Sequence, residues 1–181
     1  THGGYYAGDG ETDAASGNVG FGSDAGSFIN LAAEFRQHEH TNRGDIDPRV
    51  VDPTRIDPAQ GGSFPNTNMP SAPGYPYLNQ IFGDAEYDMK LASFNSGIQL
   101  GDAAEIYSFG TWGEKNAASF ENYRLPSRVS HKDSTTGEVT YLRPYGFDPR
   151  EETEETDYSM TAGVRGGVGE WHWDVGSTYG K

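Results

Sequence analysis

His38 and His40 lie two residues apart, with Glu34 and Arg36 preceding them in the same alternating phase. In an extended segment all four side chains share one face, because strand side chains alternate with period two. Two imidazoles above a carboxylate and a guanidinium suit the binding of a metal or a metal chelate. Two nitrogens without a third donor do not make a metal centre, so solvated histidines are the plainer expectation and no metal is assigned. Tyr75, Tyr77 and Tyr123 form a second set. Tyrosines in loops give flat, adaptable contact area to a sugar or an aromatic chelate, and they serve equally well to pack a loop against itself. The acidic residues Asp148, Glu151, Glu152, Glu154, Glu155 and Asp157 offer carboxylate oxygens to Ca²⁺ or Mg²⁺, but they lack the Asp/Asn and Gly spacing of a calcium loop. A solvated charge run is the simpler reading.

Other chemistry is harder to find. There is no Gly-x-Ser-x-Gly elbow, no His-Glu-x-x-His pair and no phosphate loop ending in Lys-Ser/Thr, so neither a catalytic residue nor a cofactor is assigned and the chain does not read as an enzyme. The formal charge of −14 repels a phosphate backbone, which argues against nucleic acid as a partner. With no Cys, disulfides and thiolate metal sites are excluded. No apolar run exceeds three residues, so the sequence offers neither a membrane-spanning helix nor the apolar heart of a signal peptide.

The elements that must position these residues read as strands. Glycine supplies 25 of the 181 residues and Tyr, Phe and Trp supply 11, 9 and 3, a mixture that suits strands and tight turns better than helices. Alternation is clearest from Thr156 to Arg165, with Tyr158, Met160, Ala162 and Val164 opposite Asp157, Ser159, Thr161 and Arg165. It repeats with Trp171, Trp173, Val175 and Tyr179 against His172, Asp174 and Thr178. Ile29 to Arg36, a weaker run through Ala15, Val19 and Phe21, and Glu105 to Trp112 add three more. Asp84 to Leu100 makes the sixth, but its apolar phase changes between Leu91 and Phe94, which predicts a bulge or a change of surroundings.

Short and long connections alternate between these strands. Gly22 to Ser27, Gly101 to Ala103 and Gly166 to Glu170 read as hairpin turns, whereas Glu39 to Gly83 and Ala117 to Glu154 are long. All 10 prolines fall in the two long segments, which supports the strand boundaries independently. A weak repeat agrees: Gly20-Phe21, Gly97-Ile98 and Gly163-Val164 each precede a polar turn and a new strand. Antiparallel strands with short turns at one end and long loops at the other follow the plan of a transmembrane β-barrel. Apolar side chains would meet lipid, Asn30, Glu34, Arg36, Asp157, Arg165, His172 and Asp174 would line a wet lumen, and Tyr87, Trp171 and Tyr179 would suit interfacial girdles. A secreted β-sandwich that binds carbohydrate produces the same alternation and is the soluble alternative.

The stretches SFINLAAEFRQHEHTNRGDIDPR, LGDAAEIYSFGTWGEKNAASFENYR and YGFDPREETEETDYSMTAGVRGGVGEWHWDVGSTYGK resemble barrel strands of TonB-dependent outer-membrane receptors, and the likeness covers nearly the whole chain. The resemblance implies a 22-strand barrel with an N-terminal plug, placed in the bacterial cell outer membrane among lipid and lipopolysaccharide. It further implies active uptake of a scarce nutrient such as a siderophore, cobalamin or saccharide, driven by the TonB energy-transducing complex acting on the plug. On this reading residues 1–181 are an internal part of the barrel domain, without plug or remaining strands. A passive porin-like channel is the alternative within membranes.

Overall fold

The computed structural model describes residues 1–4, 8–52, 69–79 and 81–181; the middle of the first long connection, with Pro53, Pro58 and Pro65, lies outside the described residues. The chain divides into a strand unit (residues 1–39, 86–117 and 153–181) and a loop unit (40–85 and 118–152).

All six expected strands are present. A short β1 (His2–Gly3) precedes β2 (Thr12–Gly22), β3 (Phe28–His38), β4 (Glu86–Leu100) and β5 (Ala104–Phe120). Inside the second long connection β6 (Ser130–Lys132) and β7 (Val139–Tyr141) pair as a separate small hairpin, before β8 (Arg150–Val168) and β9 (Trp171–Gly180) complete the series. The main sheet runs β1-β2-β3-β4-β5-β8-β9, and every defined register is antiparallel. The sheet is open: its order ends at β1 and β9, and the described strands do not close into a barrel. The only α-helix among the described residues is α1 (Pro48–Val51).

Three boundaries differ from the sequence expectation. The third short connection is only Gly169–Glu170, because β8 continues to Val168; Gly169 takes φ 61° there, as Gly101 takes 65° in the preceding tight turn. Strand β5 continues past Trp112 to Phe120. Strand β8 begins at Arg150, so Glu151 to Asp157 belong to a strand that sends successive carboxylates to opposite faces. The acidic run is therefore dispersed.

The phase change in β4 needs no bulge. Its pairing with β3 is unbroken from Phe28↔Gly97 to His38↔Tyr87, so the surroundings change instead. One face carries Val19, Phe21, Ile29, Leu31, Phe94, Ile98, Met160, Val164, Trp171, Trp173 and Val175, as the registers of β2 with β3, β3 with β4 and β8 with β9 require. Strand β5 joins the two halves, since Gly110 on this face lies against Phe94 and Ser159 while Tyr107 on the other reaches Asp174. Towards the long loops the same face turns polar on β2, β3, β4 and β5, at Asp13, Gln37, Asp88, Lys90, Glu114 and Asn116. There Lys90 Nζ donates to Glu114 at 2.8 Å and Asn116 donates to Asp88 at 3.0 Å. Beyond that border the apolar residues of β4, Tyr87, Met89 and Leu91, occupy the opposite face.

The apolar band has a definite height. On β8 it extends over ten residue steps from Tyr158 to Val168, about 34 Å along a strand. Its serines are silenced. Ser96 Oγ donates to the Ser108 carbonyl at 3.1 Å and Ser108 Oγ donates to the Thr161 carbonyl at 2.9 Å, so these hydroxyl protons do not need water.

Every buried hydrophobic residue among the described residues lies in the loop unit or at its strand boundary: Val50, Ala72, Ala118, Tyr123 and Leu125. Tyr75 and Leu78 pack around Val50, Tyr123 and Leu125. Asp47 caps α1 by accepting from the Arg49 amide at 2.9 Å and pairs with the Arg49 guanidinium, which also donates to the Tyr123 carbonyl at 3.2 Å. The Tyr123 hydroxyl donates to the Tyr145 carbonyl at 2.6 Å; burial first, then the Asp47 and Asp148 carboxylates, pushes its pKa up.

Asp148 in the same unit has a buried Oδ1 with no hydrogen-bond partner, and burial pushes its pKa up to about 6 from 3.8. The native state then keeps a proton over pH about 4 to 6 that the unfolded chain has released, so this residue's contribution to stability falls as pH rises through that window. Asp148→Asn should raise the melting temperature of the loop unit above pH 6 and leave it unchanged near pH 4. A variant that melts with its parent at both pH values would remove this assignment.

Candidate functional site

The face opposite the apolar band is polar, and the residues expected to line a wet surface share it. Asn30, Glu34, Arg36 and His38 lie on it from β3; Asp157, Arg165, His172 and Asp174 lie on it from β8 and β9. Two groups stand out, one at each end of the strands.

Near the long loops, Arg36 donates to Glu34 at 2.7 Å, and His38 Nδ1 lies 2.7 Å from Thr12 Oγ1 while its ring stacks on Tyr87 at 5.3 Å. Leu91 and Met89 stand opposite Glu34 and Arg36 in the register. A hollow of about 510 Å³ opens beside Glu34, lined by small residues including Ser16, Asn18, Ala32 and Ser93. This arrangement can hold an uncharged polar group against Glu34 and Arg36 with an apolar flank at Leu91. Among the described residues no three His, Asp or Glu side chains converge as a metal site.

His40 belongs to the loop unit, where its ring meets Phe120 edge-on at 5.8 Å. The structure therefore separates the two histidines, one on the sheet and one in the loops. The three tyrosines are also separated by role. Tyr123 is 2% exposed and is the centre of the loop core, which withdraws it from ligand contact. Tyr75 packs beside it, and Tyr77, 47% exposed, presents its ring to solvent.

The second group, near the short turns, is held more tightly. Arg165 Nε donates to Glu105 Oε2 at 2.7 Å and its guanidinium sits 5.4 Å over the Tyr107 ring. The Tyr107 hydroxyl donates to Asp174 at 2.7 Å. Glycines make room for this layer: a Cβ on Gly163 would come within 2.5 Å of the Tyr107 ring, and one on Gly176 within 2.6 Å of its hydroxyl. Phe109 stacks beside Tyr107 at 6.3 Å. Gly163→Ala should lower stability by about 2 kcal/mol by lifting Tyr107 off the sheet, read as a fall in the thermal midpoint. The same midpoint in variant and parent would show that the ring is not seated there.

Sequence alternation placed Glu105 to Trp112 in one strand but did not bring Glu105, Tyr107, Arg165 and Asp174 together as one cluster. The signal was available in the shared parity of Glu105, Tyr107 and Phe109 and in the facing glycines at 163 and 176. No family model, no curated protein and no solved structure matches the chain.

Proposed function

We propose that the chain is a section of a β-barrel in the bacterial outer membrane, serving a TonB-dependent receptor for active uptake of a scarce nutrient. The apolar band faces lipid, the polar face lines a wet path, and Tyr77 and His40 in the long loops meet incoming ligand. The observation that carries this reading is the bare apolar face. Val19, Phe21, Ile98, Met160, Val168, Trp171 and Val175 on it are 47% to 82% exposed, its border is charged on one side, and its length on β8, roughly 24 Å across a bilayer at a tilt of about 45°, suits the about 25 Å apolar belt of such barrels. Trp112 and Tyr158 near one border and Trp171 and Trp173 near the other suit interfacial girdles. A sandwich would need a second layer over one face, and the buried hydrophobic residues lie in the loop unit or at its strand boundary instead.

Single cysteines are the direct test, because the parent chain has none. In intact cells a membrane-impermeant thiol reagent should label positions 77 and 134 and spare position 102 in the opposite, short-turn set. Equal labelling of all three in secreted protein would defeat the barrel. Co-purification of TonB with the full-length protein separates an energised receptor, which retains it, from a passive channel, which does not.

A further inference from the structure

We propose that the short-turn end of the polar face is a subsite for a neutral saccharide, seated between the Phe28 and Phe109 rings and the Glu105–Arg165–Asp174 cluster. The inference rests on the reading of this face as the wet one and adds a ligand class to it.

Two hollows, of about 340 and 670 Å³, share Glu105, Arg165 and Asp174, so they adjoin. The smaller is walled by Phe28, Tyr107 and Phe109, of which Phe28 is 38% and Phe109 47% exposed. The larger adds Gln99, Asp102 and His172. One half therefore offers ring faces and the other offers planar hydrogen-bonding groups. A pyranose has the matching anatomy, with C–H edges that lie on an aromatic face and neighbouring hydroxyls that pair with a carboxylate or guanidinium.

Charge decides among ligand classes. Three carboxylates, Glu105, Asp174 and Asp102, outnumber the one guanidinium of Arg165, so the site repels an anion. A neutral polyol escapes that repulsion and can both donate to the carboxylates and accept from Arg165 and Gln99, which a cation with donors alone cannot do. The groups are already fixed before any ligand arrives: Arg165 holds Glu105, the Tyr107 hydroxyl holds Asp174, and Gly163 and Gly176 seat the Tyr107 ring. Little ordering then remains to oppose binding.

The test uses the full-length protein in a detergent without a sugar headgroup and an equimolar mixture of maltotriose, cellotriose and xylotriose. Saturation-transfer NMR should show transfer to the ring protons of at least one of them. Phe109→Ala should reduce that transfer at least fivefold, and Asp174→Asn should reduce it in a protein whose Tyr107 seat remains. Trp112→Ala, on the opposite face, should leave it unchanged. No transfer to any of the three, undiminished transfer in both polar-face variants, or preferential binding of spermidine or citrate would overturn the subsite. Transfer in a protein that stays soluble without detergent would keep the subsite and defeat the membrane reading; a detergent-dependent protein without transfer would do the reverse.

Discussion

Gly146→Ala should unfold the loop unit while leaving the main sheet paired. Gly146 takes φ 75°, where a side chain costs about 1 to 2 kcal/mol, and its Cβ would land inside contact distance of the Tyr123 hydroxyl and the Arg124 carbonyl. Neither neighbour can yield cheaply. The Tyr123 hydroxyl is tied to Tyr145, and Arg124 and Phe147 exchange two backbone hydrogen bonds, of 2.8 and 3.0 Å, across the same corner. The expected loss is about 3 to 5 kcal/mol, enough to release a small core made of Val50, Tyr123 and Leu125. Limited proteolysis would read it as rapid cleavage within residues 118–149 and intact fragments from the strands. Parental resistance would mean that Gly146 does not hold this corner.

An arginine scan along one strand should show a depth profile instead of a single penalty. Val164 lies towards the middle of the apolar band, Tyr158 at its border and Thr161 on the polar face. In lipid, arginine near the midplane costs about 2 to 4 kcal/mol and falls to about 0 to 1 near the interface. Val164→Arg should therefore lower the folding free energy in bilayers by about 2 to 4 kcal/mol, with small effects for Tyr158→Arg and Thr161→Arg. Urea titration of the protein refolded into vesicles measures it. A flat profile over Val164 and Tyr158 would argue that the face meets something other than a bilayer.

How much of this was legible in the sequence depended on the range of the signal. Period-two alternation found every long strand, because each has one face that is apolar throughout or in part, and proline bounded the connections. The ends of β5 and β8 were missed because Gly113 to Ser119 and Arg150 to Glu155 are polar or small on both faces, beyond the apolar border. The phase change in β4 was legible, but its cause was not, since the border is set jointly by Gln37, Lys90 and Glu114 on three strands. Glu34, Arg36 and His38 came out on one face because they share a strand. Tyr123 looked like any loop tyrosine, since burial depends on Val50 and Leu78, which are far from it in sequence.

The strand order has a consequence for how such a chain can diversify. Each long connection joins two strands that are neighbours in the sheet, β3 to β4 and β5 to β8, so the anchor points of each loop are fixed by backbone pairing. Doubling the length of a flexible loop between fixed ends costs only about 0.6 kcal/mol. Insertions between residues 40 and 85, or between 121 and 149, can therefore accumulate with little penalty to the sheet, whereas a single inserted residue in β3 would exchange the faces of every side chain beyond it. Sequence change can therefore concentrate in the loops within a lineage while the sheet keeps the same pairing.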